Sequence, residues 1–272
     1  MRSVIQMTRS LKGVAKIVGI LAGAYALAYL AFFVLQDQFI FLSKRLPPDH
    51  VFEFKQPFKE YFIKTDSGDS LNALLFETDE SRYLSRRGLI LYFHGNADNL
   101  QRWGNYAVDF TQLGFDILMV DYRGYGKSSG TPSETILYKD AQVVSNWAKE
   151  NLDYTNLIIY GRSLGTAVAS NLAAKVKPEV LILETPFDKI NSVLYGFTST
   201  YKFSNVNHIK EVTCPIVIFQ GTEDWVVPMY SAERLKPFLK KDDRFVVIEG
   251  GSHNNLRDFK LYHETLKSVL LK

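Results

Sequence analysis

Apolar residues divide the chain into two unlike parts. From Ile17 to Leu35 the sequence IVGILAGAYALAYLAFFVL carries no charge, and about nineteen residues at ~1.5 Å each nearly cover a ~30 Å hydrocarbon layer. This stretch predicts a transmembrane helix. A cleaved secretory signal competes with it, because Ala24-Tyr25-Ala26 and Ala26-Leu27-Ala28 have the small-x-small spacing of a cleavage site. A buried or interfacial helix is the third option. The run continues past either cut, through Phe32, Phe33 and Leu35, which favours a retained anchor. Residues 36–57 mix aromatics, Pro47-Pro48 and charges without a helical period, as expected of a juxtamembrane connector.

Beyond residue 58 the pattern changes. Glu60–Lys64 and Leu71–Phe76, separated by Asp66-Ser67-Gly68-Asp69, predict a hairpin. Short apolar, β-rich runs then alternate with longer helical ones. Strands are expected at Leu89–Phe93, Phe115–Val120, Leu157–Tyr160, Val180–Leu183, Ile216–Phe219 and Phe245–Ile248, with helices near 97–113, 134–151, 164–176, 231–240 and 257–270. Strands that are apolar throughout belong to a parallel sheet covered on both faces. The expected fold is therefore α/β, with a mostly parallel sheet of eight strands, helices on both faces, and one transmembrane helix before it. A single domain over 58–272 suits the length, following a basic flank at 1–16, an anchor at 17–35 and the connector at 36–57.

Charge sharpens this division. The chain has 32 basic and 29 acidic residues in 272. Arg2, Arg9, Lys12 and Lys16 precede the apolar run without any acid among them, and setting those four aside leaves 28 basic against 29 acidic. The basic excess is thus a flank of the membrane segment, and the folded part has no footprint for nucleic acid. Only Lys44 and Arg45 follow the span within ten residues, so the positive-inside rule places the N-terminus in the cytoplasm and the domain outside it. One cysteine, Cys214, allows neither an internal disulfide nor a thiolate cluster.

The chemistry begins at Gly161-Arg162-Ser163-Leu164-Gly165, between an expected strand and an expected helix. Small residues flanking a serine at a strand-to-helix turn let its hydroxyl project above the sheet. A serine hydroxyl needs a base, and the base needs an orienting acid. Asp224 lies in the loop Gly221–Pro228 after one expected strand, and His253 follows Gly250-Gly251-Ser252 after the next. The competing roles are a helix-capping aspartate and a surface histidine. Glu184, at the end of another strand, is an alternative acid. Oxyanion donors are expected from the main-chain N–H groups of Asn96 and Leu164, with His94 packing the loop that carries Asn96. Other motifs fail: Gly126-Lys127-Ser128 has Asp121 where a phosphate loop needs glycine, and His263-Glu264 has Lys267 where a zinc helix needs histidine. No metal site is expected.

His94-Gly95-Asn96, Asp121–Ser128, Gly161–Gly165, Gly221–Pro228 and Gly250–His253, in this order, resemble the α/β-hydrolase superfamily. More narrowly, they resemble its membrane-anchored, serine aminopeptidase-like branch with an HGN oxyanion loop. The resemblance covers residues 58–272 and implies an α/β-hydrolase fold with a Ser163–His253–Asp224 triad. It leaves the substrate open among esters, thioesters and amides.

Residues 185–212 lie where this fold places its cap, here a short one. Phe187, Tyr195 and Trp225 are expected either to line an acyl-binding groove or to pack the cap on the sheet. The expected activity is a membrane-anchored serine hydrolase acting on carboxylic esters or thioesters, on small-molecule or lipid-like acyl substrates, with no cofactor and no obligate protein partner. An amidase or peptidase with the same triad, and a non-catalytic scaffold, are the alternatives.

Overall fold

The computed structural model describes residues 2–78 and 87–271, with side chains from Leu11 onward. Arg2 and Arg9 of the basic flank are therefore described as helix backbone alone, and 79–86 of the expected domain lie outside the described residues. In chain order the elements are α1 (Arg2–Ile40), β1 (Leu42–Ser43), β2 (Lys59–Lys64), β3 (Ser70–Phe76), β4 (Gly88–Phe93) and β5 (Ala97–Asp98). Then come α2 (Leu100–Trp103), α3 (Val108–Thr111), β6 (Phe115–Val120), α4 (Glu134–Asn151), β7 (Leu157–Arg162) and α5 (Leu164–Val176). The chain closes with β8 (Val180–Glu184), α6 (Asn205–Ile209), β9 (Ile216–Gly221), α7 (Met229–Glu233), β10 (Arg244–Ile248) and α8 (Lys260–Leu270).

Among the described residues, eight strands form one sheet in the order β10-β9-β8-β7-β4-β6-β3-β2. Only β3 runs against its neighbours, pairing antiparallel with both β2 and β6. Successive side chains of a strand point to opposite faces, so each central strand feeds two cores. Leu89, Leu91 and Phe93 of β4 join α4 and α5 on one face, while Ile90 and Tyr92 join α2, α3 and α8 on the other. Helix α4 starts on the side chain of Ser133, which accepts from the Ile136 N–H, an N-cap that satisfies one orphan donor.

Three expected boundaries differ from the structure. The helix expected over 97–113 is broken into α2, a 3₁₀ turn and α3. At the break a Cβ on Gly104 would lie 2.4 Å from the Phe54 ring, so Gly104 is the residue that lets the connector cross there. The helix expected over 231–240 stops at α7, with Pro237 in a separate 3₁₀ turn, since proline removes a helix N–H and clashes with the preceding turn. At the N-terminus, α1 continues through residues 36–40.

Leu11–Ile40 contains an 18-residue stretch with a mean hydropathy of 2.2 and, among the described residues, is the one helix long and apolar enough to cross a membrane. Its last turn leaves lipid-facing character behind. Ile40 and Phe41 are 2% and 5% exposed and belong to the same core as α4 and α5. Leu42–Ser43 pairs in parallel with Ala97–Asp98, and Leu46 N–H donates to the Gly126 carbonyl at 2.9 Å. The segment directly after the helix is thus stitched to the loops that follow β4 and β6.

Candidate active site

Parallel strands deliver their loops to one end of the sheet, and three of them bring the expected triad together there. Ser163 sits between β7 and α5 with φ 52 and ψ −118, a left-handed strain held by local bonds. Its N–H donates to the Glu184 carbonyl at 2.9 Å, and its carbonyl accepts from Thr166 N–H at 3.0 Å. His253 Nε2 lies 3.1 Å from Ser163 Oγ, and His253 Nδ1 lies 2.8 Å from Asp224 Oδ2. The other Asp224 oxygen accepts the N–H groups of Val226 at 2.9 Å and Val227 at 2.7 Å. Those two bonds orient the carboxylate toward the imidazole.

The turn is tight because its glycines touch backbone. A Cβ on Gly165 would meet the carbonyl oxygens of Phe93 at 2.0 Å and His94 at 2.6 Å. Neither oxygen can swing aside as a flexible side chain would. We expect Gly165→Ala to lose about 1–3 kcal/mol of stability through overpacking, read as a lower urea midpoint, together with loss of Ser163 reactivity.

The loop after β4 passes directly over the serine, where a Cβ on Gly95 would lie 3.5 Å from Ser163 Cβ. Leu164 is the first residue of α5, and the N–H of a first-turn residue has no intrahelical acceptor. The peptide of Asn96 is oriented from two sides: its carbonyl accepts from Tyr125 Oη at 2.7 Å, and its side-chain amide donates to the Ile40 carbonyl at 3.1 Å. His94 is fully buried, with Nδ1 donating to the Gly95 carbonyl at 2.6 Å and Nε2 lying 3.3 Å from Asp121. Burial raises the Asp121 carboxyl above its ordinary range, and the bond to His94 offsets part of that. His94 shapes the loop and does not touch the serine–histidine pair.

Glu184 is occupied elsewhere. It forms an ion pair with Arg162 at 3.2 Å and accepts a short hydrogen bond from Tyr160. Burial, the largest single effect, would lower the Arg162 guanidinium pKa, but Glu184, Tyr92 and Tyr106 together outweigh it and the net shift is upward. Arg162 occupies a variable position of the Gly161–Gly165 motif, and the motif itself marks it for no role. It is 1% exposed, stacks between Trp103 at 4.9 Å and Tyr106 at 5.1 Å, and donates to the His253 carbonyl at 2.7 Å. A charged residue beside the nucleophile was the signal available for it.

The three aromatic residues expected near the substrate go to different places. Phe187 is 2% exposed and packs in the core under the cap, and its carbonyl accepts from Asn205 at 2.8 Å. Packing, one of the two roles weighed for it, is the role the structure gives it. Tyr195 and Trp225 are 73% and 83% exposed, and the Tyr195 hydroxyl donates to the Trp225 carbonyl. They form a rim beside Asp224.

Residues 85–205 match the family model described as serine aminopeptidase, S33. Lysophosphatidylserine lipase ABHD12 of Mus musculus is 36% identical over 186 residues, covering 57% of this chain and 46% of that protein. An uncharacterized protein of Mycobacterium tuberculosis strain H37Rv is 32% identical over 176 residues, covering 61% of this chain and 63% of its own length. The chain thus spans about half the length of the lipase relatives it matches. Among solved structures, the Pyrococcus furiosus esterase Pf2001 aligns with a TM-score of 0.67 at 15% identity, over 83% of this chain and 98% of that one. Est1E from Butyrivibrio proteoclasticus, solved with ferulic acid, aligns with a TM-score of 0.65 at 21% identity, over 78% and 98%. Strand order, the strained serine turn and these likenesses agree, and the chain has the α/β-hydrolase fold.

Proposed function

We propose that the chain is a membrane-anchored serine hydrolase that cleaves carboxylic esters or thioesters of lipid-like acyl substrates. The observation that carries this reading is the unbroken line Ser163 Oγ, His253, Asp224, with links of 3.1 and 2.8 Å. Asp224 holds Nδ1–H, leaving Nε2 to accept the serine proton as Oγ attacks the acyl carbon. The N–H groups of Asn96 and Leu164 receive the oxyanion, where one well-aimed donor contributes about 10²–10³ in rate. His253 then protonates the leaving group, and water releases the acyl group from Ser163 by the same steps in reverse. The apolar helix and the relatives named as lysophosphatidylserine lipases support a lipid substrate and a membrane location.

Fluorophosphonate labelling of the full chain tests the nucleophile. Turnover of matched acetyl, butyryl and octanoyl esters, beside the corresponding amides, tests the bond and the chain length. Rising kcat/KM with acyl length, and slower amides, is the expected result. A fall from acetyl onward would overturn the lipid-like preference, and faster amides would favour a peptidase.

The basic residues Arg2, Arg9, Lys12 and Lys16 before the span support a cytoplasmic N-terminus and a domain on the opposite side. A tag at Lys272 should be cleaved by external protease in intact cells or spheroplasts. Protection until the membrane is broken would reverse the assignment.

A further inference from the structure

Between Lys189 and Lys202 no residue is charged. This stretch is the tip of the cap, closed at its base by a bridge between Lys189 and Ser204. The tip lies along α1. The Phe197 ring packs 4.9 Å from Phe32, 6.0 Å from Tyr29 and 6.3 Å from Tyr25. Tyr25 Oη donates to the Gly196 carbonyl at 3.4 Å, and the hydroxyls of Tyr29 and Thr198 bond to each other. Gln36, 8% exposed on a helix whose apolar face is otherwise open, accepts from Ser199 Oγ at 2.6 Å and from Thr200 N–H at 2.9 Å.

These contacts fix a depth. The first acid after the uncharged run is Asp37, which marks where α1 leaves hydrocarbon. At ~1.5 Å per residue, Tyr25 lies about 18 Å inside that level, roughly half of a ~30 Å layer. Irregular chain is tolerated at such depth only where its polar groups are satisfied within the protein. Three of its N–H groups are satisfied in this way: Phe197 N–H reaches the Leu194 carbonyl at 3.0 Å, Ser199 N–H the Asn191 side chain at 2.9 Å, and Tyr201 N–H the Ser199 hydroxyl at 3.0 Å.

We propose that the cap tip, residues 190–201, is a re-entrant membrane segment docked on α1, with the hydrocarbon of one leaflet as its partner. Its free face carries Tyr195, which bonds to the Trp225 carbonyl next to Asp224. Val226 and Tyr230, 52% and 51% exposed, extend that face. The triad's rim is therefore continuous with the leaflet, and an ester whose acyl chain already lies there reaches Ser163 laterally, without crossing water. This rests on the reading of α1 as a spanning anchor and deepens the proposed substrate class.

The test uses the full chain with Cys214→Ala, carrying a single spin-labelled cysteine in phosphatidylcholine vesicles. Labels replace Tyr195, Val226, Leu30 on the lipid-facing helix, or exposed Lys241. At Tyr195 the ratio of oxygen to nickel-chelate accessibility is expected to be about tenfold above that at Lys241, close to the value at Leu30. Gln36→Leu should raise label mobility at Tyr195 and leave Lys241 unchanged. Tyr195 and Val226 matching Lys241 while Leu30 reads as lipid would overturn the docking and spare the anchor. Leu30 also matching Lys241 would overturn both. Fluorophosphonate labelling of the same samples reads the hydrolase assignment separately.

Discussion

Ser163→Ala is expected to lower kcat by roughly 10⁶, since a triad acts as a unit and loses nearly all its power with one member. Stability should change by about 0.5 kcal/mol or less. The hydroxyl removed lies at the mouth of a turn whose backbone bonds, Ser163 N–H to Glu184 and Thr166 N–H to Ser163, stay in place. His253→Ala should be comparably severe, and the double variant no worse than either. Measuring kcat and Tm on the same preparations checks both halves. A Ser163→Ala protein with native Tm and near-native turnover would exclude the acyl-enzyme route.

Asp224→Asn is expected to lower kcat by about 10⁴, because an amide facing His253 Nδ1 selects the wrong tautomer. Fold and Tm should survive, as an asparagine oxygen can still accept from Val226 and Val227. Glu184→Gln should behave in the opposite way. It leaves buried Arg162 without a charged partner, which costs about 3–5 kcal/mol for a broken buried pair, while the imidazole keeps its aspartate. The two variants therefore separate on a plot of kcat against Tm. If Glu184→Gln abolishes turnover at native Tm and Asp224→Asn does not, Glu184 is the triad acid.

Where sequence and structure agree, a local cause can be named. The central strands were legible because a strand buried on both faces is apolar at every position, and Ile90, Leu91 and Tyr92 show it. The convergence of Ser163, His253 and Asp224 was legible because these residues follow strand ends in chain order. What escaped was non-local. Gly104 breaks a helical pattern for the sake of Phe54, far back in the chain. Residues 36–46 look like a polar connector, yet Ile40 and Phe41 are core, and Gln36 finds its partners in the cap. Phe187 carries no mark in the sequence that distinguishes a groove wall from a core residue. Arg162 was hidden as a variable letter inside a motif, though it holds the carbonyl of the histidine it helps to place.

The amide of Asn96 on the carbonyl of Ile40 has a consequence for how the molecule is assembled. A helix ends with carbonyls that need outside donors. Here the donor stands 56 residues further along the chain, and the groups on Gln36 stand 163 and 164 residues further. The helix is synthesised before these partners, so its last turn is completed by residues made much later. A nascent chain therefore has the apolar helix before it has that helix's finished end, which closes when the loop carrying Asn96 folds onto it. Completion of the helix end and folding of the loop after β4 are one event.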